Sequence, residues 1–113
     1  MISKLTDIRK KADIGEYCVI EDYVVIGDNA VIGNHVVIHS GTVIGNDVVI
    51  GDFACIGKMT SRARKAKKGE ELPPPCFIGN GAEIGTSAVI YRGVTIPDGK
   101  RVDDLTVVRA DAP

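Results

Sequence analysis

Every isoleucine in this chain stands on a six-residue spacing. Ile2, Ile8, Ile14, Ile20, Ile26, Ile32, Ile38, Ile44, Ile50 and Ile56 follow one another without a break, and Ile78, Ile84, Ile90 and Ile96 resume the spacing, with Val102 continuing it. A helix face repeats at about 3.6 residues and a strand face at 2, so neither element alone produces a six. Such a period is the mark of a parallel β-helix, in which short strands coil around a thin core. Two residues before each isoleucine stands something small or β-branched: Cys18, Val24, Ala30, Val36, Thr42, Val48, Ala54, Cys76, Ala82, Ala88 and Val94. Residues two apart in a strand point to the same side, so each strand sends one large and one small side chain inward. Three hexapeptides would close one coil of a three-sided prism, and residues eighteen apart should stack.

The residue after the isoleucine is often glycine, and Asp or Asn commonly follows it, as in Gly27-Asp28-Asn29. Both types tolerate positive φ, which predicts that these positions close the turns between strands. The residue before the isoleucine must point outward. Val19, Val25, Val31, Val37, Val43 and Val49 fill that slot and predict outward apolar stripes, which monomers rarely expose at such extent.

The repeats Ile-Gly-Asp-Asn-Ala-Val, Ile-Gly-Asn-His-Val-Val and Ile-Gly-Asn-Asp-Val-Val resemble the hexapeptide-repeat acyltransferases. The stretches 73–81, 88–96 and 106–113 resemble the closing coils of sugar O- and N-acetyltransferases. The resemblance implies an all-β, left-handed parallel β-helix spanning 1–113 as one domain, assembled as a homotrimer. It further implies transfer of an acetyl group from acetyl-CoA to an amine or hydroxyl of a sugar, nucleotide-linked or not. The fold hosts other functions, so a non-catalytic scaffold or assembly subunit stays open beside the enzyme. A protein like the γ-class carbonic anhydrases is the more distant alternative. Its zinc needs three histidines, and the chain has two, so no metal site is expected.

Gross composition narrows the partners. A net charge of −1 gives no strong field for nucleic acid or anionic membrane. No apolar run approaches the ~20 residues of a membrane span. The N-terminus lacks the apolar core of a signal peptide, so a cytoplasmic protein is expected. The three cysteines read as small apolar residues. Cys18 and Cys76 take inward slots and Cys55 a slot usually held by valine, with no Cys-x-x-Cys or Cys-His spacing.

The spacing fails between Ile56 and Ile78, which predicts a loop over about 57–77 thrown out of the prism. Arg62, Arg64, Lys65, Lys67 and Lys68 cluster there, and Pro73-Pro74-Pro75 stiffens the return. The loop is a solvated linker or an anion clamp for phosphates of coenzyme A or a nucleotide-sugar. In the second case Arg62, Arg64 and Lys65 would bind the cofactor. The related sugar O-acetyltransferases carry a His-Pro pair at the start of this loop, where this chain has Lys58-Met59-Thr60, so the loop cannot supply a base.

That leaves His35 and His39. Histidine suits general-base work near neutral pH. His39 occupies a slot where glycine is the norm, and so does Glu21 eighteen residues earlier, with Gly57 eighteen later. The pair Glu21–His39 is therefore expected to stack, with open space over Gly57, as a catalytic base and its orienting carboxylate, or else as a surface ion pair at a corner. His35 falls in a column with Tyr17 and Phe53, which reads as an aromatic ladder used for packing.

Overall fold

The computed structural model describes residues 1–110 and, of Arg62, only the backbone. The end of the third resembling stretch, 111–113, and the Arg62 side chain lie outside the described residues.

The chain is a left-handed parallel β-helix. Eight two-residue strands come first: β1 (Asp7–Ile8), β2 (Asp13–Ile14), β3 (Val19–Ile20), β4 (Val25–Ile26), β5 (Val31–Ile32), β6 (Val37–Ile38), β7 (Val43–Ile44) and β8 (Val49–Ile50). The four-residue β9 (Cys55–Lys58) and a single helical turn, α1 (Ser61–Arg64), follow. The closing coils hold β10 (Phe77–Ile78), β11 (Glu83–Ile84), β12 (Val89–Tyr91), β13 (Thr95–Ile96), β14 (Arg101–Val102) and β15 (Val107–Val108). They form three five-stranded parallel sheets, β1-β4-β7-β10-β13, β2-β5-β8-β11-β14 and β3-β6-β9-β12-β15. Each strand pairs with its third neighbour, in register isoleucine over isoleucine: Ile8 on Ile26, Ile26 on Ile44, Ile44 on Ile78.

The core is the two columns expected from the period. Ile20, Ile26, Ile38, Ile56, Ile78 and Ile90 are wholly buried, and so are the small partners Val24, Ala30, Val36, Thr42, Val48, Ala82 and Ala88. Full burial of one isoleucine contributes roughly 1.5–3 kcal/mol, so the stacked ladders carry most of the stability. The valines before the isoleucines face outward, Val31 and Val49 with nearly half their surface exposed.

The glycine slot works differently from the sequence expectation. The glycines that follow an isoleucine do not, as a rule, adopt positive φ. The left-handed residues lie three past the isoleucine: Lys11, Tyr17, Tyr23, Asn29, His35, Asp47 and Phe53. Glycine is needed for clearance instead. A Cβ on Gly27 would sit 2.5 Å from the Gly45 carbonyl oxygen one coil on and 2.5 Å from Asn46 Oδ1. The Asn or Asp after the glycine is a rung between coils, not a turn former. Asn46 Oδ1 accepts the Asp28 N–H at 2.8 Å, and Asp52 Oδ1 accepts the Asn34 N–H at 2.8 Å.

The interruption is narrower and more ordered than a loop over 57–77. β9 runs on through Gly57 and Lys58, opposite an irregularity at Ile90/Tyr91, and α1 forms inside the excursion. β10 then rejoins directly above β7, Phe77 against Val43. The extra residues therefore leave the prism as one protrusion without shifting the coil register.

Candidate active site

The site lies where β9 departs from the repeat. Glu21 follows β3, His39 follows β6, and Gly57 stands in β9, so three successive coils of one sheet bring them into a column. His39 Nδ1 lies 3.1 Å from Glu21 Oε1. The same Oε1 accepts the Ser40 N–H at 3.0 Å. At this corner the carboxylate of Glu21 thus does the bridging that Asn and Asp side chains do elsewhere. The His39 N–H still donates to Ile56 O at 2.9 Å, so the backbone that carries the imidazole is fixed by the ladder.

Gly57 makes room for the imidazole. Its φ is +83°, and a Cβ there would fall 2.6 Å from Thr42 Oγ1 and 3.4 Å from His39 Cβ. Only glycine combines that backbone with that clearance. The result is an open cavity of about 280 Å³ over the corner, lined by Glu21, His39, Ser40, Gly57, Met59, Arg64 and Arg92. The Thr42 hydroxyl beneath it is buried, with no hydrogen-bond partner among the described residues.

The tautomer of His39 follows from its neighbours. An ionised carboxylate can only accept, so Nδ1 carries a proton, and in the neutral ring the lone pair is on Nε2. Nε2 faces the Cys55 thiol, with Sγ 3.5 Å away. Burial pushes the Cys55 thiol above its ordinary range. Glu21 adds to that rise, while the charges of Lys58 and Arg64 oppose it. Cys18 and Cys76 are core residues, as their slots required, and burial alone pushes the Cys76 thiol up to about 12. Cys55 differs: it is half-buried on the outer face, and the absence of a Cys-His spacing in sequence gave no hint of its contact with His39.

A second cavity of about 560 Å³ adjoins the first, sharing Met59 and Arg92 with it. Lys58, Pro73, Tyr91, Gly93 and Arg109 also line it. Arg109 Cζ lies 4.5 Å from the Tyr91 ring centre, and Lys58 Nζ 5.7 Å. Arg92 ties loop to coil: Nε donates to Pro73 O at 2.7 Å and a terminal nitrogen to Ser40 O at 3.1 Å. Of the three loop cations singled out from sequence, Arg64 lines the first cavity and Lys65 lines neither. Three further cations line the cavities: Lys58 at the end of β9, and Arg92 and Arg109 just past β12 and β15. They sit in different repeats, and only the coiling brings them together around the loop.

His35 is stacked between Tyr17 and Phe53, with ring centres 5.2 and 4.9 Å apart, and Tyr17 and Phe53 are largely exposed. This ladder runs along an outer corner. Among the described residues no group of three His, Cys, Asp or Glu side chains is placed to hold a metal ion. No helix there is long and apolar enough to cross a membrane.

The architecture and the repeat define a class of fold: a left-handed β-helix of hexapeptides, similar to that of solved acyltransferases. The family model for the bacterial transferase hexapeptide (six repeats) matches residues 11–46 and 23–58. Among solved structures, the chain is similar to GDP-perosamine N-acetyl transferase from Caulobacter crescentus, seen with CoA and GDP-perosamine (TM-score 0.80, 20% identity, covering 96% of this chain and 44% of that one). It is also similar to the UDP-N-acetylglucosamine acyltransferase of Francisella novicida (TM-score 0.71, 27% identity, 96% and 43%). A third likeness is to the acetyltransferase domain of PglB from Neisseria gonorrhoeae (TM-score 0.50, 19% identity, 100% and 50%). The chain spans half or less of the length of these relatives. No curated protein sequence matches it.

Proposed function

We propose that this protein is an acetyltransferase that moves an acetyl group from acetyl-CoA to an amine or hydroxyl of a sugar or nucleotide-sugar. The observation that carries the reading is the imidazole of His39, tautomerically fixed by Glu21 and set on the edge of an open cavity. A neutral imidazole with its lone pair on Nε2 is the state a general base needs. It would take the proton from the acceptor as that atom attacks the thioester carbonyl, and the imidazolium formed would be stabilised by the Glu21 carboxylate. An isolated, partly exposed ion pair contributes little stability. A corner that gives up its glycines for one is better explained by chemistry.

The relatives support the substrate class. Two act on nucleotide-linked sugars by name, and two of their structures hold CoA or acetyl-CoA. Four cations, Lys58, Arg64, Arg92 and Arg109, line the two joined cavities. They suit the phosphates of a coenzyme or nucleotide, with Arg64 retained from the loop cluster. The outward Val31 and Val49 and the aromatic ladder are apolar surface suited to subunit contacts, and a homotrimer in the cytoplasm fits them.

The test is acetyl-CoA with a panel of amino and hydroxyl sugars, free and nucleotide-linked, followed by release of the CoA thiol. Acceptor-dependent release that disappears in His39→Ala supports the reading. No release with any acceptor would leave the scaffold reading in its place. Light scattering at micromolar concentration should give three subunits.

A further inference from the structure

The nitrogen that a direct transfer would use is the one turned toward a thiol. His39 Nδ1 is committed to Glu21, and Nε2 lies 3.5 Å from Cys55 Sγ. Carboxylate, imidazole and thiol therefore contact one another in sequence across three coils, the order of orienter, base and nucleophile. Cys55 directly precedes the inward Ile56 in β9, so the thiol projects from the outer face, beside His39 at the edge of the cavity.

We propose that Cys55 is a nucleophile that carries the acetyl group, so that transfer proceeds in two steps through a thioester on the protein. The inference rests on acetyl-CoA being the donor. In the first step Sγ attacks the carbonyl carbon of acetyl-CoA while Nε2 takes the thiol proton. The bond from that carbon to the coenzyme sulfur breaks, and the imidazolium returns the proton to the departing CoA thiolate. One thioester is exchanged for another, so no oxidant, reductant or further energy source is needed. In the second step the acceptor nitrogen or oxygen attacks the acetyl-Cys55 carbonyl, Nε2 takes the acceptor's proton, and the Cys55 thiolate leaves and is reprotonated.

The surroundings of the thiol fit this use. Burial holds it in the protonated form at rest, so it needs a base in contact, and Nε2 is that base. Lys58 and Arg64 favour the thiolate as it forms. Cys18 and Cys76, by contrast, are buried in the prism, where a thioester of any size cannot reach.

The decisive measurement is exchange of labelled CoA into acetyl-CoA with no acceptor present, joined to peptide mapping for one acetyl group on Cys55. A two-step enzyme catalyses this exchange, and a direct-transfer enzyme does not. The wild type should exchange. Cys55→Ala should lose exchange and transfer by about a hundredfold or more, and His39→Ala should lose both. Cys55→Val restores the residue usual in this slot, so it keeps the fold intact and should be equally inactive. Acceptor-dependent transfer without exchange, or with full activity in Cys55→Val, would overturn the thioester and leave the acetyltransferase standing. Exchange without any active acceptor would uphold the thioester and refute the choice of acceptor. Failure of acetyl-CoA to bind in equilibrium dialysis would overturn both.

Discussion

Gly57 is where the fold and the site meet, and Gly57→Ala tests both. The substitution meets two obstacles. The backbone at φ +83° costs a residue with a Cβ about 1–2 kcal/mol. The new methyl also falls 2.6 Å from Thr42 Oγ1 and 3.4 Å from His39 Cβ, and overpacking of that kind costs about 1–3 kcal/mol. The expected loss is about 2–5 kcal/mol, a large share of the ~5–15 kcal/mol available to an ordinary protein. The two parts can be separated. Thr42→Ala removes Oγ1, the atom in closest conflict, and leaves the backbone cost untouched. In a double-mutant cycle followed by urea unfolding at fixed protein concentration, the pair should be more stable than the sum of the singles by about 1–2 kcal/mol. The double variant should also recover part of the transfer activity, because His39 is no longer displaced through the crowded floor. Additivity within about 0.5 kcal/mol would refute the steric account and leave backbone strain as the whole effect.

Other outcomes are expected from the same geometry. His39→Ala should lower kcat about 10²–10⁴-fold with little change in melting temperature, and Glu21→Gln should cost less because it keeps the shape and the Ser40 contact; steady-state kinetics with thermal melts checks both. Arg64→Ala should raise KM for acetyl-CoA or the acceptor, whereas Lys65→Ala should leave it unchanged, since only Arg64 lines a cavity; equal effects would refute the placement. Cys76 has its folded value raised to about 12 from an ordinary 9.0. Its contribution to stability is therefore full below pH 9 and lost as pH rises toward 12, by up to about 1.4 kcal/mol per pH unit, because the unfolded thiol ionises first. Unfolding free energies at alkaline pH should fall less steeply in Cys76→Ala.

The six-residue spacing made the prism legible because an inward isoleucine recurs only if the backbone repeats with it. Inward and outward slots, strand register and the excursion between Ile56 and Ile78 all come from counting. The glycine slot misleads in the sequence because positive φ is the commonest local reason for glycine, whereas this one is non-local. The Gly27 Cβ would strike Gly45 on the next coil, and nothing within one repeat reveals that neighbour. The same holds for Asn46, which looks like a turn residue and serves as a rung.

At the site, the sequence determined one vertical relation. Glu21 and His39 both break the glycine rule at a separation of one coil, and stacking then puts them in contact. It could not determine the relation across the face. Cys55 is sixteen residues from His39, off the eighteen-residue column, and its Sγ meets Nε2 at 3.5 Å through side-chain placement that the repeat does not set. Arg92 and Arg109 were equally hidden, because the protruding segment between β9 and β10 had to fold back against the closing coils before they lined the two adjoining cavities with Arg64 and Lys58. A periodic chain fixes what lies above and below each residue, since backbone hydrogen bonds enforce that spacing. What lies beside it depends on side-chain direction and on the one segment that leaves the repeat, and those are settled by tertiary packing.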